Sequence, residues 1–246
     1  MSLLLAFSVA LMGLSIISGM LGMGVALVAV PVLSLGLDDL VNQVHPLGLI
    51  LNGVTALFSA FAFARAGLVQ WPRAFALAAA ASVSAPLGSL AARVAPEWLV
   101  WTLYFSSVIL LLYRIHTAPV RAPGAAVNLK AILLWALPAS ALSGFLGVGP
   151  GFLLVLLMIH FGIGIREAAA TSAAAVAPAS FAAAAPHLAH MTLAPSFVLT
   201  LCAASAVGAL VGARLASRNV SPTNLQRLFV VTIVITSAVR ALHMLF

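Results

Sequence analysis

The sequence predicts an all-α polytopic membrane protein of two inverted repeats, each a glycine-kinked pair of short helices followed by three transmembrane helices. Three observations predict it. Of 246 residues, 64% are apolar and 6% charged, whereas a soluble domain carries about 25% charged residues. The apolar runs are long and rich in Ala and Leu instead of alternating, which favours helices over barrel strands. A glycine-rich string also occurs twice, at nearly the same offset as two other matched landmarks. No polar stretch is long enough to form a second, soluble domain, so 1–246 reads as a single membrane domain.

Ten apolar segments follow one another, broken at Gly, Pro and the few charges. Segment 1 (3–17) runs into the glycine string at 18–24, and segment 2 (25–36) stops before Asp38 and Asp39. Segment 3 (45–63) opens at His45-Pro46, segment 4 (74–92) lies between Arg73 and Arg93, and segment 5 (98–113) follows Pro96-Glu97. Segment 6 (129–142) precedes the second glycine string, and segment 7 (152–162) starts after Pro150-Gly151. Segments 8 (168–184), 9 (194–213) and 10 (223–243) are bounded by Arg166-Glu167, Pro186, Arg214 and Pro222. A span needs roughly 20 residues to cross a 30 Å core. Segments 3, 4, 8, 9 and 10 meet or approach that length, and segment 5 is slightly short. Segments 1, 2, 6 and 7 are shorter, and each pair is joined by a glycine-rich kink.

The duplication has three landmarks. Ser18-Gly19-Met20-Leu21-Gly22-Met23-Gly24 recurs as Ser143-Gly144-Phe145-Leu146-Gly147-Val148-Gly149, Pro96-Glu97-Trp98-Leu99 matches Pro222-Thr223-Asn224-Leu225, and Gly88 matches Gly212. Repeat 1 therefore covers about 1–113 and repeat 2 about 129–246, with a linker at 114–128. Many transporters are duplicated membrane folds of this kind.

Charge placement gives the orientation. If each short pair is a re-entrant hairpin, each half crosses three times and the halves are inverted. Nine of the 11 basic residues, including Arg65, Arg73, Arg114, Arg121, Lys130 and Arg166, then share one side, and only Arg93 and Arg240 lie opposite, with Asp38 and Asp39. Parallel halves would split the basic residues almost evenly, so the positive-inside bias favours inversion. Pairs that cross twice as thin spans give the same parity.

The kinks carry the chemistry. Pro150 suits the first position of a helix, where its missing N–H costs nothing. Segment 7 would then begin near mid-membrane with free N–H groups from Gly151, Phe152 and Leu153, and segment 2 would present a second such end near Gly24. A helix N-terminus carries roughly half a positive charge and in low dielectric is an anion site. The alternative is that these glycines serve only close helix packing. Asn52, near the middle of segment 3 with His45, Thr55 and Ser59 at near-helical spacing, either joins helices or lines a cavity. Thr171 and Ser172 offer hydroxyl donors to an oxyanion, or bond back to their own helix. The candidate substrate-binding set is Gly22, Gly24, Asn52, Gly147, Gly149, Gly151, Thr171 and Ser172, with His45 as a proton or polar relay. His160, His187 and His190 read as solvated or interfacial, Arg93 and Arg214 as snorkelling, and Asp38 and Asp39 as solvated loop residues.

Several classes are excluded. The net charge of +7 comes without a basic face, an RNP motif or zinc-finger spacing, so no nucleic acid is expected. The single Cys202 forbids an intrachain disulfide and a multi-cysteine metal site, and no metal or cofactor is expected. The N-terminus lacks the cationic region of a signal peptide. There is no HExxH, no GxSxG, no paired intramembrane aspartates and no legible Ser–His dyad, so the chain does not read as an enzyme.

At SGMLGMG (18–24), SGFLGVGPGFLLVLLMIHFGI (143–163), REAAATS (166–172) and GALVGARLA (208–216), the sequence resembles the TauE/SafE sulfite exporters, also called TSUP or DUF81. Val25 and Pro150 interrupt the glycine runs usual in that family, and His45-Pro46 stands where a small residue and a hydroxyl are commoner. The resemblance implies a secondary transporter exporting small sulfur-containing anions, such as sulfite, sulfoacetate or thiosulfate, across the bacterial inner membrane. A channel-like anion pathway and a non-transporting membrane scaffold are the alternatives. The expected partners are a small anionic substrate and the lipid bilayer, with a homodimer as one oligomeric option. The basic loops should be cytoplasmic and both termini periplasmic. A reporter fused after Phe246 is therefore expected outside the cytoplasm, and activity of a cytoplasm-dependent reporter there would overturn the orientation.

Overall fold

The computed structural model describes residues 2–117, 128–218 and 221–245. Among these, ten α-helices follow in order: α1 (Ser2–Leu21), α2 (Ala26–Leu33), α3 (His45–Arg65), α4 (Trp71–Ala92), α5 (Glu97–Thr117), α6 (Leu129–Phe145), α7 (Gly151–His160), α8 (Ile165–Leu188), α9 (Pro195–Arg218) and α10 (Pro222–Leu245). One π-helical turn, Leu40–Val44, leads into α3. No strand occurs among the described residues. Each expected segment is a helix. The linker expected at 114–128 lies mostly outside the described residues (118–127), and α5 continues to Thr117 within it. Phe246 also lies outside them.

Among the described residues, five helices are long and apolar enough to cross a membrane: Leu4–Leu21, Leu40–Arg65, Trp71–Ala92, Ile165–Leu188 and Pro195–Ser217. This corrects the reading of segment 1, because α1 has 20 residues and at 1.5 Å per residue reaches about 30 Å. The string Ser18-Gly19-Met20-Leu21 extends the helix instead of ending it. Its partner α2 has only eight residues, about 12 Å, and cannot cross.

The two breaks have one geometry. Gly22 and Gly147 adopt φ of 63° and 67°, a left-handed conformation that costs glycine little. Gly22 N–H donates to Gly19 O and Met23 N–H to Ser18 O; Gly147 and Val148 repeat both bonds to Gly144 and Ser143. This is a Schellman cap, which satisfies the last carbonyls of a helix before the chain turns away.

Two tightly packed helix pairs surround the breaks, α1 with α9 and α4 with α6. A Cβ on Gly19 would meet the backbone of Ala209, and one on Gly212 the Ile16 carbonyl. Likewise, a Cβ on Gly144 would meet the Ala85 carbonyl, and one on Gly88 the Ala141 carbonyl. Glycine lets helix backbones approach closely where the surrounding lipid supplies no hydrophobic drive. For these four glycines, packing is the role. Between the pairs, α3 lies beside α8, with His45 next to His187 and Asn52 next to Ser180, so the two helices run antiparallel.

Side-chain contacts group the helix ends. Met20, Leu21, Phe63, Arg166 and Ala216 line one small hollow, and Gln70 N–H donates to Thr171 Oγ1 at the same end. Asp39, Val41, Ala95 and Glu97 line a cleft at the other end, where the Arg93 guanidinium donates to Pro186 O. Gly212→Ala should lower the melting temperature in detergent, because overpacking costs about 1–3 kcal/mol. Gly13→Ala, with nothing within 4 Å of the new Cβ, should leave it unchanged or slightly higher. Equal effects would refute the packing role.

Candidate functional site

The two breaks meet in the interior. A Cβ on Gly151 would strike the Met23 carbonyl, so the start of α7 sits directly on the first break. A Cβ on Gly22 would strike the Ala169 carbonyl of α8. Gly24 and Gly149, with φ of 73° and 70°, both face the Asn52 amide, and Gly149 also faces Ser180 Oγ. Gly147 lies against the His45 ring. The structure thus brings Gly22, Gly24, Gly147, Gly149, Gly151, Asn52 and His45 to one place. Ser172 joins them, its hydroxyl donating to Gly151 O at 3.3 Å.

Asn52 is fully buried and every contact it makes is specific. Its Oδ1 accepts from Ala26 N–H at 2.9 Å and its Nδ2 donates to Ser180 Oγ at 2.9 Å. Thr55 Oγ1 accepts from Val25 N–H at 3.1 Å and donates to the carbonyls of its own helix. The first N–H groups of α2 are therefore capped from α3. This revises the expectation of a second open helix end at Gly24. Asn52 joins helices, bonding α2 and α8 from α3, and its amide also faces Gly149 of the second break.

The start of α7 differs. Pro150 occupies the cap position and supplies no side-chain bond, because position 150 has neither a hydroxyl nor an amide to offer. Of the two helix starts that follow the glycine strings, α7 is the one whose first turn has no side-chain cap.

Thr171 lies elsewhere. Its hydroxyl oxygen accepts from Gln70 N–H at 3.1 Å, so it holds the start of α4 and keeps its hydrogen for another acceptor. His45 neighbours His187, 16 residues further along α8 and roughly 24 Å away by helix rise. Sequence register pairs Thr171 with His45 across the repeats, but the antiparallel α3–α8 pair puts them at opposite ends.

The sequence missed His187. Read as interfacial, it is only 1% exposed, and its Nε2 lies 2.9 Å from Ser89 Oγ. Ser89 donates its single hydrogen to Ala183 O at 2.7 Å, so Nε2 carries the ring hydrogen and Nδ1 a lone pair; Nδ1 has no partner. This Ser–His contact, also missed, is thus not a nucleophile dyad, since the serine hydrogen points away from the imidazole. The His45 and His187 rings are 6.2 Å apart and nearly perpendicular, and neither nitrogen of His45 has a partner. A buried polar group without a partner costs about 1–3 kcal/mol, so two such rings in contact are costly for the fold alone. A register summing positions along segments 3 and 8 would have paired them, but only once the helices were known to be antiparallel.

Asp39 is also not a plain loop residue. Its carboxylate accepts from the Val41 and Asn42 N–H groups and from Asn42 Nδ2, capping the π-helical turn. Burial works against the charge, but these bonds outweigh it and hold the carboxyl below its ordinary value.

A helical bundle with largely apolar outer faces, two glycine-capped breaks and with His45, Asn52 and His187 buried at its centre is a multi-pass membrane protein of the transporter type. The sequence profile of the family described as sulfite exporter TauE/SafE matches residues 5–240. The chain belongs to that family of membrane anion exporters. No curated protein and no solved structure matches it. Asn52→Leu should destabilise the protein by about 1–3 kcal/mol, because it strips partners from Ala26 N–H and Ser180. Thr55→Val should cost about 1 kcal/mol, as a lost cap does. Thermal unfolding in detergent checks the order, and an equal or reversed ranking would refute the capping assignment.

Proposed function

We propose that this protein is a secondary transporter that exports a small sulfur-containing anion, such as sulfite, thiosulfate or sulfoacetate, by alternating access of two inverted repeats. The observation that carries the reading is the contact between the two breaks, with the uncapped first turn of α7 at its centre. A helix N-terminus in low dielectric attracts an anion through aligned N–H dipoles. Gly147, Gly149 and Gly151 expose backbone there, while Gly22 and Gly24 shape the opposing wall. The second Nδ2 hydrogen of Asn52 and the free hydroxyl hydrogen of Thr171 serve as donors along the route, while Ser172, whose hydrogen goes to Gly151 O, holds the start of α7 against α8. The four acidic residues, Asp38, Asp39, Glu97 and Glu167, lie outside the helix interiors or in a first turn, so no carboxylate repels an anion at the centre.

Inversion is supported by the helix ends. The C-terminal end of α1 lies with those of α3 and α9 and with the start of α8. The C-terminal part of α6 instead packs on Gly88 near the end of α4, toward the opposite side. Repeats of 1–113 and 129–246 then run antiparallel, with the basic end cytoplasmic and the inner membrane as the location. The close seating of Gly151 on Met23 favours a carrier over an open channel.

Gly149→Leu and Gly151→Leu should each reduce flux to background in proteoliposomes while membrane insertion is retained, since the new side chains would collide with the Asn52 amide and the Met23 carbonyl and push the two breaks apart. Undiminished flux in a folded variant would refute the site. Purified protein screened against sulfite, thiosulfate, sulfoacetate, taurine and sulfate should be stabilised by the transported anion; no shift with any of them would favour a scaffold.

A further inference from the structure

We propose that His45 and His187 together form a buried proton site, opening toward the cleft at Asp38 and Asp39, whose occupancy is coupled to the anion at the start of α7. The proposal rests on the anion reading above and adds the coupling ion to it. Three observations carry it. Both rings are buried, with three of their four nitrogens unpartnered, a state that neutral histidines kept only for packing would not need. The rings touch each other edge to face, and the His45 ring also touches Gly147 of the second break. A cleft of about 340 Å³, lined by Asp38, Asp39, Leu40, Val41 and Glu97, reaches the Val41 backbone, which lies beside His187. The Val41 backbone thus stands between the cleft and the histidine pair, and the His45 ring stands between His187 and the second break.

The step is a simple proton binding. A proton from water in the cleft attaches to the lone pair on His187 Nδ1, while Nε2–H continues to donate to Ser89. The resulting positive charge, passed to or shared with His45, stands beside the Gly147–Gly149 turn and favours an anion there. When the anion leaves, the proton loses that partner and returns to water. Histidine is the side chain suited to this, because a neutral imidazole can donate through one ring nitrogen and take up a proton at the other.

The charged and titratable groups facing the pair are few. Asp39 acts on His45 from the turn before α3. Arg93 at the end of α4 and His190 beyond α8 act on His187. The sequences of α1 and α2 contain no titratable side chain, and α9 carries Cys202 in the near half, with Arg214 and Arg218 at its far end. Burial, Arg93 and the neighbouring histidines all oppose a charge on the pair, and Asp39 supports one on His45; an anion at the second break would add to the side of Asp39.

The test uses the full chain in liposomes with a pH-sensitive dye trapped inside. Thiosulfate and sulfoacetate carry no proton that titrates near neutral pH, so any proton moving with them is carried by the protein. The wild type should show a lumenal pH change that accompanies anion flux. His187→Gln should keep anion counterflow and lose the proton signal, and His45→Gln should do the same with slower counterflow. Ser89→Ala removes the bond that fixes the His187 tautomer; it should shift the pH profile of flux without changing the anion concentration at half-maximal rate. Wild-type anion flux with no proton signal overturns the proposal and leaves the transporter reading intact. A full proton signal in His187→Gln also overturns it. If His187→Gln does not fold, an unshifted pH profile in Ser89→Ala overturns it instead. No anion flux in the wild type defeats the transporter reading, and this proposal with it.

Discussion

Every peptide group inside a bilayer must find its hydrogen-bond partner within the protein, and the rest of this structure depends on how two interrupted helices meet that demand. Breaking a helix at membrane depth exposes carbonyls on one side of the break and N–H groups on the other. The carbonyls of α1 and α6 are satisfied in the same way, by Schellman caps that only a glycine at 22 and 147 permits without strain. The N–H groups are not treated alike. Those of α2 are held by Asn52 and Thr55, while those of α7 start from Pro150 without a side-chain cap. One helix start is capped from a neighbouring helix and the other is not.

The capping residues belong to a wider buried polar set on α3 and α8. His45, Asn52, Thr55 and Ser59 lie along α3, and Ser172, Ser180 and His187 lie along α8, all buried. The outer faces carry Leu5, Leu57, Phe75, Val83, Leu134 and Val207, all well exposed, as suits contact with lipid. Between centre and exterior, the α1–α9 and α4–α6 pairs pack through glycines at repeat-related positions. Close backbone contact there fixes the two breaks against each other.

Much of this was legible in the sequence. The ten segments follow from apolar runs ended by Gly, Pro and charge, and all ten are helices. The glycine strings marked the breaks because a repeated motif between apolar runs has few other uses. Lengths were less legible: α1 extends through Ser18-Gly19-Met20-Leu21 because its cap lies at Gly22, and the π-helical turn before α3 has no pattern of its own. His187 read as a residue at a segment end, since periodicity gives a face but not its neighbour. Ser89 and Ser180 carried no signal either, as serine is common in membrane helices.

The sequence by itself determined that this chain lives in a membrane, where its ten apolar segments lie and where they break. These are local or compositional properties, set by transfer free energy and by backbone rules that glycine and proline obey wherever they stand. Its family was also readable from those motifs. Only the tertiary structure decided which break is capped, that Thr171 and His45 lie at opposite ends of α3 and α8, and that two histidines 142 positions apart share one buried site. The reason is physical: hydrogen-bond satisfaction in the interior is settled between helices, and which helices meet, and in what direction, is not written in any one of them.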